Sequence, residues 1–167
     1  MTGVQTCALP ISEEGDFGGD GNDELAGNII DQNLGDKYFN KAQDDGHGPG
    51  VNTGFVIVPK AGSSTITGVQ FATANDMPDR DPVRITIEGS NDANAARAQG
   101  NGFALIYEGL AGLESDPGRN HWGQVVGFKN TASYKVYRIL VTATRGDAAD
   151  ATQYSEVRLG TTIPPVK

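Results

Sequence analysis

Reactive side chains are scarce in this 167-residue chain, which has one cysteine (Cys7), two histidines (His47 and His121) and one tryptophan (Trp122). A single cysteine rules out an intramolecular disulfide framework, and two histidines outside any His-Glu-x-x-His spacing cannot build a zinc hydrolase site. The chain has no Gly-x-Ser-x-Gly elbow, phosphate loop or cysteine nucleophile, so acyl-transfer and nucleotide chemistry lack their parts. Carboxylate pairs suited to glycoside hydrolysis occur in any Asp-rich chain and carry no specificity. No enzymatic activity is therefore expected. No run approaches the 18 or so apolar residues of a membrane-spanning helix, so no membrane insertion is expected. Basic residues are also few, 13 against 21 acidic, for a formal charge of −8. Phosphates are repelled at long range by such a chain, which disfavours nucleic acid and anionic membranes and leaves a cation as the more natural partner.

Glycine is plentiful, with 23 residues, and falls between short apolar runs that recur along the chain. Turns alternating with short apolar runs indicate an all-β fold. The runs predict strands at Gly54 to Val58, Ile66 to Thr73, Val83 to Glu88, Phe103 to Glu108, Gln124 to Phe128, Tyr134 to Thr144 and Tyr154 to Leu159. Val83, Ile85 and Ile87 alternate with Arg84, Thr86 and Glu88, as in a strand with one face in a core and one in water. In the longest run, Tyr137, Ile139, Val141 and Ala143 line one face and Val136, Arg138, Leu140 and Thr142 the other, which predicts a central strand covered on both sides. Pro78 and Pro82 bracket the acidic stretch Asp76 to Asp81 and stiffen it as a loop between strands. Within it Asp79, Arg80 and Asp81 are expected to pair with one another. About eight antiparallel strands in one domain of this length predict a sandwich that carries its function on end loops.

The N-terminus needs separate treatment. Residues 2 to 11, TGVQTCALPI, resemble the translation of a primer used in short-read sequencing libraries. They have neither the basic start nor the apolar length of a signal peptide, so residues 1–11 are set aside as an artefact. Cys7 goes with them, and the chain is then read as cut at its 5′ end. Residues 12–20 follow as an acidic, Gly-rich lead-in, residues 21–160 as the domain, and residues 161–167 (TTIPPVK, with Gly160 before them) as an extended linker.

IIDQNLGDKY, GVQFATANDMPDRDPVRITIEGSND, YKVYRILVTATR and QYSEVRLG, in this order and spacing, resemble bacterial members of the discoidin or coagulation-factor C-type family. That resemblance implies an antiparallel β-sandwich, a galactose-binding-like jelly roll. It also implies a binding module for sugars, lipids or proteins, often an appendage of a secreted or cell-surface protein. The family commonly holds a structural calcium ion between an early loop and a glutamate of the last strand. By that likeness Asp31, Asn33, Gly35, Asp36 and Glu156 are the candidate ligands, with Tyr38 in the place of the loop's aromatic residue. Oxygen donors of these types suit calcium. Asp36 and Gln32 depart from the family pattern, and the alternative is a solvated turn beside an unrelated surface glutamate. FGGDGNDELAG matches one turn of a calcium-binding β-roll, but a single copy cannot complete a site and is read as an acidic loop.

For a sugar, Trp122 is the candidate stacking platform, with Arg119, Asn120 and His121 as its polar neighbours. Trp122 could equally begin the next strand and pack inward. Tyr38 and Phe39 are read as core. The expected partner is a glycan, bound by a monomeric module of a larger extracellular protein. The alternative is a surface protein, bound by an adhesion module without glycan affinity.

Overall fold

In a computed structural model of the chain, residues 8–11, 24–41, 50–92, 94–95, 102–147 and 149–161 are described. The lead-in, His47, most of the glycine- and aspartate-rich turn and the final six residues lie outside them.

The strands are β1 (Ala8–Ile11), β2 (Tyr38–Asn40), β3 (Thr53–Ile57), β4 (Gly68–Ala72), β5 (Pro82–Ser90), β6 (Ala104–Leu110), β7 (Val126–Gly127), β8 (Val136–Thr144), β9 (Thr152–Tyr154) and β10 (Glu156–Gly160). Two short 3-10 helices, Ala26–Ile30 and Pro78–Arg80, complete the regular structure. A five-stranded sheet has the order β1-β3-β8-β5-β6, a three-stranded sheet the order β10-β4-β7, and β2 pairs with β9. Every pairing is antiparallel.

Side-chain alternation builds the core between the sheets. Phe55 and Ile57 of β3, Ile85 and Ile87 of β5, and Tyr137, Ile139 and Val141 of β8 meet Val69 and Phe71 of β4 and Val157 and Leu159 of β10. Tyr154 is the hub. Its ring centroid lies 5.1 Å from Phe71, 5.3 Å from Tyr38 and 6.0 Å from Phe55. Tyr38 and Phe39 are buried, as expected, and the Tyr38 hydroxyl donates to the Gly54 carbonyl at 2.9 Å. Glycine is required at position 54 because a Cβ there would stand 1.8 Å from the Ile139 carbonyl oxygen.

Several boundaries differ from the sequence expectation. The last predicted strand is two, β9 and β10, broken at Ser155, whose N–H bonds Ala72 O and whose hydroxyl bonds Thr73 O. The run expected from Gln124 is a strand only at Val126–Gly127, because Gln124 N–H is drawn instead to Gly112 O. The central strand β8 is buried on its inner face, while Arg138, Leu140 and Thr142 on its outer face are only half-buried. Ala8–Ile11, which sequence considerations set aside, runs antiparallel to β3 in the register Ala8↔Ile57. Edge pairing uses backbone groups alone, so any extended segment can supply it.

Candidate functional site

Register places Trp122. Val69, Phe71, Val157 and Leu159 enter the core, so Gln70 and Ala72 of β4, and Glu156 and Arg158 of β10, occupy the opposite, outer face of the small sheet. Arg158 is directly opposite Gln70 and Glu156 opposite Ala72. Trp122 forms an isolated antiparallel bridge with Ala72, tied by Gly123 N–H to Phe71 O at 2.9 Å and Thr73 N–H to His121 O at 2.9 Å. The indole therefore belongs to the outer face, half-buried. Of the two readings of Trp122, inward packing fails, because the bridge continues β4 on its polar side. The bare platform is also modified, since the guanidinium carbon of Arg158 lies 3.7 Å from the centre of the indole. Arginine stacked this way gains from the ring's negative face.

The neighbouring loop is built around a buried acid. Asp81 is fully buried and receives Arg119 through two bonds, Nη1 to Oδ1 at 2.9 Å and Nη2 to Oδ2 at 2.5 Å. Arg145 Nη2 reaches the same Oδ2 at 3.1 Å and also donates to Leu113 O. Arg119 further bonds Asp116 at 2.7 Å, holding that carboxyl below its ordinary range. Its fork is thus occupied with fixing the loop, and among the sugar candidates Arg119 serves as a post for its neighbours. Pairing within Asp79-Arg80-Asp81 does not occur: Arg80 binds Asp150 at 2.6 Å, Asp81 binds Arg119 and Arg145, and Asp76 binds Lys37 at 3.0 Å. A buried carboxylate takes the donors that come with it out of water, and Arg80 points away from it.

Asn120 and His121 are exposed. Asn120 adopts φ 56°, and its N–H bonds Ala74 O at 3.1 Å. His121 Nδ1 lies 2.5 Å from Arg119 O. A carbonyl only accepts, so Nδ1 carries the proton and, in the neutral ring, Nε2 remains an acceptor for a hydroxyl. Thr73 anchors the turn from below, donating to Gly118 O at 2.6 Å and accepting from His121 N–H at 3.1 Å.

The expected calcium ligands are brought only partly together. Glu156 is buried rather than a surface residue, and its Oε1 accepts Gln32 N–H at 2.6 Å and Asn33 N–H at 3.2 Å. Burial, followed by the neighbouring Asp31 carboxyl, pushes Glu156 up to about 7. Two converging carboxyls with no positive partner among the described residues suit a cation as well as they suit a proton. Asp31 also accepts Asn33 N–H at 2.8 Å. Gly35 closes the loop through its N–H to Asn33 Oδ1 at 2.9 Å, while Asp36 turns to the Asn33 amide at 2.7 Å. Among the described residues no group of three or more acidic, histidine or cysteine side chains converges. Asp31 and Glu156 fit calcium in type, with the remaining donors left to amide or backbone oxygens and water.

Sequence considerations missed Arg158 and Gln70, which the β4–β10 pairing carries to the tryptophan. Alternation with Val157 and Leu159 places Arg158 on a polar face, but nothing local indicates which ring it meets.

No family model and no curated protein matches the sequence. Solved structures do match. CpGH89CBM32-5 from Clostridium perfringens, in complex with GalNAc-β-1,3-galactose, superposes with a TM-score of 0.64 at 17% identity over 92% of this chain and 94% of that one. The CBM32 of AlyQ, in complex with 4,5-unsaturated mannuronic acid, gives 0.62 at 16% identity over 95% and 97%. A pectin binding carbohydrate binding module gives 0.63 at 13% over 97% and 94%. At these identities the likeness shows the fold: the chain has the discoidin-like, galactose-binding-like β-sandwich of these carbohydrate-binding modules.

Proposed function

We propose that this chain is a non-catalytic carbohydrate-binding module of a secreted or cell-surface bacterial protein. The observation that carries the reading is the placement of Trp122 on the outer face of a sandwich whose solved neighbours were captured with sugars. Trp122 supplies apolar surface, His121 an acceptor at Nε2, and Asn120 an amide that both donates and accepts, the combination that orients a sugar by its hydroxyls. Arg119 positions them through Asp81. The ligands of the neighbours differ from one to the next, so the fold leaves the sugar open.

A structural calcium ion belongs to this proposal, with Asp31 and Glu156 as its carboxylates and Asn33, Gly35 and Asp36 as the loop that frames them. When bound, the ion would supply the positive charge that the Asp31–Glu156 pair lacks. The chain's own part is to hold Glu156 between two backbone N–H groups, which locks the loop to the last strand.

A glycan-array screen of the full chain with calcium present, and Trp122→Ala beside it, tests the reading. Binding lost in the variant is the expected result, and a blank array from folded protein overturns it. The second reading, a protein-binding adhesion module, has its own observation. Leu105 and Leu110, 59% and 47% exposed, stand on the edge strand β6, and exposed apolar edges favour protein contact.

A further inference from the structure

We propose that Arg158, held on the face of Trp122, recognises a carboxylate, and that the glycan taken here is acidic, an oligomer or polymer of hexuronic acid. The inference rests on the carbohydrate-binding reading and assigns its ligand class.

The argument begins with an account of the arginines. Arg80, Arg119, Arg138 and Arg145 each hold a carboxylate within 3.1 Å. Among the described residues no carboxylate lies within ion-pair distance of Arg158 or Arg84. Arg84 lies on the other sheet, without an aromatic partner. Among the described residues, Arg158 is the arginine that combines a guanidinium without a carboxylate with a position over an aromatic ring, 3.7 Å from the centre of the indole. In a chain of net charge −8 with 21 carboxylates, an exposed arginine that meets none among the described residues is open to a carboxylate from a ligand. A guanidinium carries its five N–H donors around one planar edge, and no carboxylate among the described residues takes those of Arg158. That planar edge, already ordered, matches the two oxygens of a carboxylate.

Stacking also discriminates against neutral sugars. A sugar ring approaching that face of Trp122 must first displace the guanidinium. A uronate need not, since its carboxylate meets the guanidinium where it lies. Gln70 is a second, independent observation. It sits directly opposite Arg158, is 1% exposed and gives Nε2 to Gly123 O at 2.8 Å, while its Oε1 has no partner. A buried acceptor left empty is costly, and a small shift of the Gln70 side chain that opened Oε1 to a ligand hydroxyl would relieve that cost. The patch thus offers a double donor for an acid group beside a lone acceptor for a hydroxyl, the complement of a hexuronate. The overall field of the protein repels anions at long range, so selectivity has to arise from these contacts.

Titration calorimetry of the full chain with trigalacturonate, trimannuronate and neutral galactotriose tests this. At least one acidic trimer should bind about ten-fold or more tighter than galactotriose, a difference of about 1.4 kcal/mol. Arg158→Ala should abolish that preference. Arg158→Lys, which keeps the charge but loses the planar fork, should restore only part of it. Equal affinity for acidic and neutral trimers, or uronate binding unchanged in Arg158→Ala, overturns the proposal. Array binding confined to neutral glycans overturns it and leaves the module reading standing, whereas a blank array from folded protein overturns both.

Discussion

Arg119 is a neighbour of Trp122 in sequence and Arg158 a neighbour in space, and the two occupy opposite situations. Arg119 precedes Trp122 on its own loop and is bound to Asp81, which is fully buried, and to Asp116. Arg158 reaches it from β10, stacks on its ring and has no acid partner among the described residues. The first is a ligand candidate from sequence as one of the polar neighbours of Trp122, with Asn120 and His121. The second lies in a strand and attracts no notice. Proximity in sequence to an aromatic does not tell how a guanidinium is engaged; that depends on whether the fold has already given it a counter-ion.

Breaking Asp81 is the most direct attack on this contrast and should have the largest effect. Asp81→Ala leaves Arg119 and Arg145 without their shared acid. Disrupting a buried pair in this way costs on the order of 3–5 kcal/mol, or roughly 10 °C in Tm for a domain of this size, readable by thermal or urea denaturation. Arg119→Ala should cost less, because Arg145 still reaches Asp81. A loss under about 1 kcal/mol for Asp81→Ala would mean that the loop does not depend on this post.

The acid pair at the other edge of the small sheet ranks next. If Asp31 and Glu156 hold calcium, free ion at a hundred times its Kd should stabilise the fold by about 2.7 kcal/mol, and chelator should lower Tm correspondingly. Glu156→Ala should remove that response. An identical melting curve with calcium and with chelator would sink the site. Trp122→Ala follows. It removes a half-buried ring from the outer face of the small sheet, together with its contact with Arg158, which should cost about 1–2 kcal/mol, while eliminating glycan binding.

The fold was legible because β alternation is local. Phe55 and Ile57, Ile85 and Ile87, and Tyr137, Ile139 and Val141 each announce an inner face within a few residues. Boundaries were less so, since Gln124 and Ser155 leave the strand pattern through bonds to distant carbonyls. The site was legible only in part. Trp122 could be picked out as the lone tryptophan in a polar loop, and Glu156 was placed opposite the early loop that now donates two N–H groups to it. Asp36, a candidate ligand of the same loop, accepts from the Asn33 amide, a local bond that short loops favour. The Asp81 centre and the Trp122–Arg158 stack join segments far apart in the chain. Their partners are set by tertiary packing, and no local pattern encodes them.

Arg158→Ala should have the smallest effect on stability and is the sharpest test of the contrast. Arg158 is exposed, and it holds no acid among the described residues. What the fold loses is a cation–aromatic contact, worth about 0.5–1 kcal/mol at an exposed site, offset in part by the side-chain entropy that the stack suppresses. The net change should lie within about 0.5 kcal/mol, as for most surface substitutions. Arg119→Ala and Arg158→Ala remove the same type of side chain, one bound to Asp81 and one over the indole, so the difference between their melting curves weighs the buried acid against the stack. A large loss from Arg158→Ala would make the stack a structural clamp on the bridge between Ala72 and Trp122. A negligible one leaves Arg158 with no structural reason to stand over the ring, which is the condition for reading it as a group that waits for a ligand.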